Sequence, residues 1–516
     1  MQSFVLSLVL AAVPVRYDDH AVVTAWVDDE RELARLRSIA DELWSEHPGP
    51  GAIDARIAPG RLAELDAAGI THVVRIANVQ AQIDAERTRL AAAPDPQAAT
   101  WFDDFRDYDE VTAKLDELAA TGAADLVDVG SSLEGRAIKG LRFGNADAPA
   151  VLYSGTMHAR EWLATMVTMC VADRFASDDA TVADLLDRIG VIVVPVINPD
   201  GYVYSWTYDR YWRKNTRDGY GVDLNRNWDY QWAVVGASDD PYAEDYHGDA
   251  PFSEPESSAL RDLILAHPEI TAHIDFHSFS QLVLRPWGYS YDLPSDEATL
   301  AMLGASMSDA MWNATNTDYP SIHASELYPA AGAVDDWAYG VQGIMAFTIE
   351  LRGDDFVVSP SQIAPACDEN VAAALALAAW VAAAAPPPSG DDGNADTGGD
   401  EGHDPPPDHG TGSDGANDEG TSAATGDGGD GDANDDASND DGGAGGEPVL
   451  PPGYGLDGNP IGCACTIDRD ATIPWLAFVL LLRRRARHNP RRRALHRACT
   501  HHASSRCSCC SAPRRT

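Results

Sequence analysis

The stretch EITAHIDFHSF, residues 269–279, decides how the rest of the chain is read. His273 and His277 are four residues apart, a spacing that would put both on one face of a helix. However, Ile270, Ile274 and Phe276 surround them, a Pro268–Glu269 pair precedes them, and TAHIDFH alternates with a period of two. The stretch is therefore predicted as a strand. His273, Asp275 and His277 then share one side, with His277 at the open C-terminal end, where the sites of open α/β sheets collect. His277 becomes a candidate metal ligand, and His273 an interior histidine or a support for a ligand.

Three other apolar runs read the same way: APAVLYSG (148–155), IGVIVVPVINPDG (189–201) and GIMAFTIEL (343–351). Helical stretches such as EWLATMVTMCVADRFA (161–176) separate them. Near-continuous apolar strands alternating with helices predict an α/β unit with its sheet covered on both faces. That unit spans residues 101–384. Before it, residues 21–96 hold the strand-like HAVVTAWV and HVVRIAN and the helical DERELARLRSIADELW and VQAQIDAERTRLAAA. A β-α-β-α order there predicts a small α+β open sandwich, joined to the main unit by a Pro/Ala linker.

The formal charge of -44 over 516 residues is not evenly spread. Residues 391–450 carry 18 Asp or Glu and no Lys or Arg, whereas the chain from Arg483 onward carries 11 Arg and no acidic side chain. The 385–450 segment, nearly devoid of large apolar residues, reads as a disordered acidic spacer. The central unit is acidic as well, which argues against a nucleic-acid partner. Residues 1–20 include the apolar run of a secretory leader but no basic residue before it, so export is the expectation. In 451–516 a GCAC motif, the ten-residue apolar run Ile473–Leu482 and an Arg cluster resemble a bacterial cell-envelope sorting tag. The run is too short for an unaided membrane span. Of eight cysteines only Cys170 and Cys367 fall in the main unit; one bridge between them is the alternative, and separate buried thiols are the expectation.

GTMHAREW, residues 155–162, supplies His158 and Glu161 at i and i+3. With His277 they offer two neutral nitrogens and one carboxylate, leaving a fourth position open, as in a hydrolytic zinc site rather than a structural one. Taken alone, an H-x-x-E is commonplace on protein surfaces. AFTIELRGDD (346–355) places Glu350 near the end of another strand, where a desolvated carboxylate could accept and return a proton; an ion pair with Arg352 is the competing reading. YWRKNTRDG contributes Arg213, and GVDLNRNWD contributes Asn225 and Arg226. Planar guanidinium groups beside an amide suit a free carboxylate, and a further arginine suits a developing oxyanion.

In order, HAREW, WRK, VDLNRNW, FHSFSQL, a tyrosine ahead of GAVDDWAY, and FTIELR resemble the motifs of zinc carboxypeptidases of the A and B type. The likeness spans roughly Trp101 to Trp380, with 119 residues from His158 to His277 and 73 more to Glu350. It implies a mixed eight-stranded twisted sheet flanked by helices on both faces, with 21–96 as an activation propeptide. It implies one zinc ion on His158, Glu161 and His277, and Glu350 as the base that activates water and then protonates the leaving amine. Arg213 would face the oxyanion. Asn225, Arg226 and Tyr328 would hold the terminal carboxylate of a peptide or protein, with Arg160 and Ser278 in neighbouring subsites.

Reading on from Tyr328, Asp335 takes the place at the floor of the side-chain pocket, where in the resembling enzymes an acid goes with C-terminal Arg or Lys. A buried carboxylate is costly unless a cation pairs with it. The expectation is thus a secreted or envelope-associated monomeric exopeptidase preferring basic C-termini. The alternatives are a peptidoglycan stem-peptide hydrolase and a non-catalytic envelope-tethered peptide-binding module. Phe279 stands where the family usually has an aromatic hydroxyl, and Pro329 restricts Tyr328.

Overall fold

The computed structural model describes residues 13–44, 50–92 and 100–385. The leader-like residues 1–12, the 93–99 part of the linker, and the acidic and Arg-rich segments from 386 on lie outside the described residues.

The N-terminal unit runs β1 (Ala21–Val27), α1 (Glu30–Ile39), β2 (Glu42–Leu43), β3 (Gly51–Ile57), α2 (Leu62–Ala68), β4 (Thr71–Ile76) and α3 (Val79–Leu90). Its four strands form one sheet in the order β2-β3-β1-β4. Asp29 and Asn78 cap α1 and α3 by accepting from backbone N–H groups of the first turn, which fixes both helix starts at the positions the sequence suggests. The helical periodicity of 29–44 overruns the helix: α1 stops at Ile39, and Glu42–Leu43 turn into a strand antiparallel to β3. The folded unit also begins earlier than Ala21. Tyr17 is buried, its N–H donates to Gln80 Oε1 and its hydroxyl donates to Asp209.

The main unit follows as α4 (Tyr108–Ala120), β5 (Asp125–Ser131), β6 (Ala137–Gly144), β7 (Ala150–Gly155), α5 (Trp162–Phe175), α6 (Ala180–Leu186), β8 (Gly190–Val194) and α7 (Pro199–Thr207). It continues with α8 (Pro255–Ala266), β9 (Ile270–Ser278), β10 (Leu282–Arg285), α9 (Glu297–Thr315), β11 (Ser321–His323), α10 (Ala324–Leu327), α11 (Val334–Gln342), β12 (Met345–Leu351) and α12 (Ile363–Ala384). Eight strands pair in the order β11-β10-β12-β9-β7-β8-β6-β5. The four apolar runs of the sequence are the contiguous centre, β12-β9-β7-β8, and all three of its pairings are parallel. Both β7 and β8 are buried at every position, as strands covered by helices on both faces must be. The β10–β12, β6–β8 and β5–β6 pairings are antiparallel, so the sheet is mixed.

Cys170 of α5 and Cys367 of α12 form a disulfide, which overturns the expectation of two separate thiols. The two helices pack side by side, so residues 197 apart in sequence come within 5.7 Å at their Cα atoms. Spacing along the chain carries no sign of that proximity. The helix ending at Ala384 is long and apolar enough to cross a membrane by length and composition. Its buried face, including Ala373, Leu377 and Val381, belongs to the central core.

Candidate active site

The parallel centre of the sheet brings the chemistry to one edge. Glu350 and His277 are register partners on β12 and β9, so a base candidate and a ligand candidate meet at the strands' C-terminal ends. β7 ends at Gly155, beside Phe276, and the loop that follows carries His158 and Glu161 before α5 begins. Gly155 is needed there, because a Cβ would sit 2.5 Å from Thr168 Oγ1 on α5.

His158, Glu161 and His277 converge, with exposures of 4%, 2% and 1% and one ligand atom from each lying within 4.8 Å of the others. His158 Nδ1 is 2.8 Å from Glu161 Oε1 and 3.0 Å from His277 Nδ1, which is itself 3.2 Å from Glu161 Oε2. Two imidazole nitrogens and a carboxylate pointed at one another at such spacing suit a tetrahedral zinc, whose ligand atoms lie about 3.3 Å apart at the usual bond lengths. The outward nitrogens are also held. His158 Nε2 lies 3.2 Å from Asp223 Oδ1, and His277 Nε2 lies 2.6 Å from Asp275 Oδ2. Such carboxylate partners orient a metal-binding imidazole.

Asp223 joins two parts of the cleft, since its Oδ2 accepts from Arg213 Nη2 at 2.8 Å and Nε at 3.1 Å. Burial alone would raise the Asp223 carboxyl, but Arg213 and His158 hold it well below the usual carboxylate range. Burial likewise opposes ionisation of Glu161, yet His158 and His277 hold it well below its ordinary value. Glu350 behaves in the opposite way: burial, reinforced by the charge of Glu161, pushes it up to about 7. Arg352 does not pair with it, lying instead 3.3 Å from Glu369.

A pocket beside the cluster is lined by His158, Asn225, Arg226, Tyr328, Asp335 and Glu350, among others. Asn225 Oδ1 accepts the N–H of Val334, tying it to the start of α11, and Arg226 Nε donates to the Gly236 carbonyl at 2.8 Å. The Arg226 guanidinium carbon is 6.0 Å from the centre of the Tyr328 ring, and burial pushes that phenol up to about 12. Asp335 and Asp336, in the first turn of α11, are both buried, and burial raises both carboxyls. Asp336 accepts from the N–H groups of Gly288 and Tyr289, which leaves Asp335 as the one that lines the pocket.

A chamber of about 380 Å³ lies over the cluster, lined by His158, Arg160, Glu161, Arg213, Ser278, Tyr328 and Glu350 on one side. Trp44 and Gly51–Asp54 of the N-terminal unit line the other. Arg160 is engaged by the N-terminal unit: its Nη1 donates to Glu42 Oε1 at 2.5 Å, and its guanidinium lies over the Phe356 ring. All eleven residues singled out from the sequence therefore border one cleft. Asp223 and Asp275 were missed as partners of the ligands. Asp223 lies within VDLNRNW and Asp275 between the two histidines of β9, so both stood in stretches already under scrutiny.

A profile described as zinc carboxypeptidase matches residues 111–373. The chain belongs to the zinc carboxypeptidase family. Carboxypeptidase B of Astacus astacus is 41% identical over 282 residues, covering 52% of this carboxypeptidase and 93% of its relative. Zinc carboxypeptidase A 1 of Anopheles gambiae is 32% identical over 388 residues, covering 70% and 89%. Among solved structures, carboxypeptidase A from Helicoverpa armigera aligns with a TM-score of 0.63 at 31% identity, covering 71% of this chain and 98% of that one. Thrombin activatable fibrinolysis inhibitor aligns with a TM-score of 0.65 at 26% identity, covering 71% and 99%. With the converged His-Glu-His set, membership makes this carboxypeptidase a zinc-dependent exopeptidase, with one catalytic metal site among the described residues.

Proposed function

We propose that this carboxypeptidase removes C-terminal Arg or Lys from peptides and proteins. The observation that carries the preference is Asp335, a carboxylate buried on the wall of the pocket beside the metal ligands, its ionised form disfavoured until a cation arrives. Asn225, Arg226 and Tyr328 at the same pocket hold the terminal carboxylate of the substrate, which selects an exopeptidase over an endopeptidase mode. When bound, zinc supplies a Lewis acid that polarises the scissile carbonyl and acidifies water. Glu350 accepts the proton from the attacking water and returns it to the leaving amine, a role matched by a carboxyl pushed up to about 7. Arg213, steadied by Asp223, faces the carbonyl oxygen as charge develops on it. Arg160 and Ser278 border the subsites further along the peptide. The test is kcat/KM on matched peptides ending in Arg, Lys, Leu and Phe; a tenfold advantage of Phe over Arg would sink the preference.

We further infer that the N-terminal unit is an activation propeptide. Supporting this, Trp44 stacks on Tyr211 with ring centres 5.5 Å apart, Glu42 joins Arg160 to Arg56, and Arg210 pairs with Glu86 across the same boundary. Activity on a protein-sized substrate should rise when residues up to about the 93–99 linker are removed by limited proteolysis; equal activity before and after argues against inhibition. Secretion, and attachment to the envelope through 451–516, are proposed on the Cys170–Cys367 disulfide and the tag-like C-terminal motif. The protein is proposed to act as a monomer. Cell fractionation and size-exclusion chromatography with light scattering test these two statements.

A further inference from the structure

Behind the metal cluster, two buried polar side chains, Ser154 and His273, take no part in the roles assigned above. On β7 and β9, Ser154 and Asp275 are register partners, and His273 lies two residues before Asp275 on the same side. Ser154 Oγ lies 2.6 Å from Asp275 Oδ1 and 2.8 Å from His273 Nε2, while Asp275 Oδ2 lies 2.6 Å from His277 Nε2. Ser154, His273 and Asp275 are each 0% exposed and His277 is 1% exposed, so water does not rearrange these contacts.

Counting protons sets the direction of every bond. A serine hydroxyl has one proton, and an ionised carboxylate can only accept, so Ser154 donates to Asp275. Its remaining neighbour must then donate to Ser154, which places a proton on His273 Nε2. The Nδ1 of His273 has no hydrogen-bond partner among the described residues, as suits a neutral ring whose proton sits on the other nitrogen. Burial pushes His273 down to about 4, keeping it neutral at physiological pH. Asp275 thus receives Ser154 on one oxygen and presents the other to His277, whose Nε2 carries the donated proton. In the neutral ring that a metal ligand must be, this leaves a bare Nδ1 on His277, the atom that faces Glu161 and His158.

We propose that Ser154 and His273 are positioning residues, a buried donor relay that acts through Asp275 to hold His277 in the ring orientation and tautomer that zinc requires. The proposal rests on the reading of His158, Glu161 and His277 as the zinc ligands. The two ligand histidines are then steadied by different means: Asp223, behind His158, is held by the charged Arg213, whereas Asp275 is held by neutral donors only.

The test is zinc affinity, measured on the full chain by competition with a chromogenic chelator, alongside thermal unfolding with and without zinc. Ser154→Ala and His273→Leu are each expected to weaken zinc binding about tenfold, the lower end for loss of a group that orients a metal ligand. His273→Gln, which keeps a donor for Ser154, is expected to stay within about threefold of the wild type by the same reasoning. Adding Ser154→Ala to Asp275→Asn should cost little more than Asp275→Asn alone, because both cut one relay. At saturating zinc the loss should appear in kcat with KM nearly unchanged. A core role alone would lower the melting temperature of the metal-free protein and leave zinc affinity at the wild-type value, and that result overturns the proposal. Tight 1:1 zinc binding by the wild type without peptide hydrolysis would remove the proposed activity and leave the relay standing. Failure of the wild type to bind zinc would overturn both.

Discussion

Two sets of buried carboxylates lie at one cleft or behind its walls, and their surroundings treat them in opposite ways. Glu161, Asp223 and Asp275 each contact an imidazole or a guanidinium, and these partners hold all three below their ordinary values although burial pushes them up. Glu350, Asp335 and Asp336 are buried without such compensation, and all three are raised. The difference separates what a metal needs from what a substrate needs. Permanent anions, already ionised and oriented, build a rigid cation site, whereas uncompensated acids are poised to take a proton or to welcome an arriving cation. The N-terminal unit supplies a further member of the first kind. Burial opposes ionisation of Glu42, yet Arg56 and Arg160 hold it below its ordinary value at the boundary between the two units.

The sharpest way to break this division is Glu350→Gln. A proton carrier outside the metal set should lose about 10²–10⁴-fold in kcat while zinc content, measured by elemental analysis, stays at one per chain. Loss of the metal together with the activity would move Glu350 into the first set. Next in size, Asp335→Ile should cut kcat/KM for a C-terminal Arg peptide by roughly 30-fold or more, the equivalent of about 2 kcal/mol for a desolvated charge left unpaired. The same variant should gain on C-terminal Leu; unchanged rates on both peptides would show that Asp335 does not meet the substrate side chain.

The pH dependence tests the raised member directly. Glu350 must be ionised to accept a proton, and burial favours its neutral form up to about 7, so kcat/KM should rise with pH along an acid limb. A bound zinc dication favours the carboxylate and should bring that limb below about 7 in the loaded enzyme. Activity that falls as pH rises through this range would assign the limb to another group. The smallest effect is expected at the boundary. Glu42→Gln removes the anion that Arg56 and Arg160 share while keeping a side-chain oxygen for one of them, and limited proteolysis should then release the N-terminal unit several-fold faster.

How far these features were legible follows from their range along the chain. The central strands announced themselves because burial on both faces demands unbroken apolar runs, and β12, β9, β7 and β8 have them. The flanking β5 did not, since its solvent-facing positions dilute the pattern, whereas HVVRIAN in the N-terminal unit was legible as the strand that β4 is. In the N-terminal unit β3 and the short α2 were missed for the same reason, and α1 was drawn too long because its periodicity continues past Ala40. His158 and Glu161 could be paired from local spacing, and His277 and Glu350 were found because each ends a predicted strand.

By itself the sequence determined which residue types could form the metal set and which apolar runs become strands buried on both faces. Those properties depend on side-chain chemistry and on periodicity within a dozen residues. The tertiary structure alone decided that Asp223 supports one histidine and Asp275 the other, that Arg352 turns to Glu369 rather than Glu350, and that Cys170 meets Cys367. A hydrogen bond or a disulfide needs atoms placed within a few tenths of an ångström, and for residues far apart in the chain only the packing of helices on the sheet sets that distance.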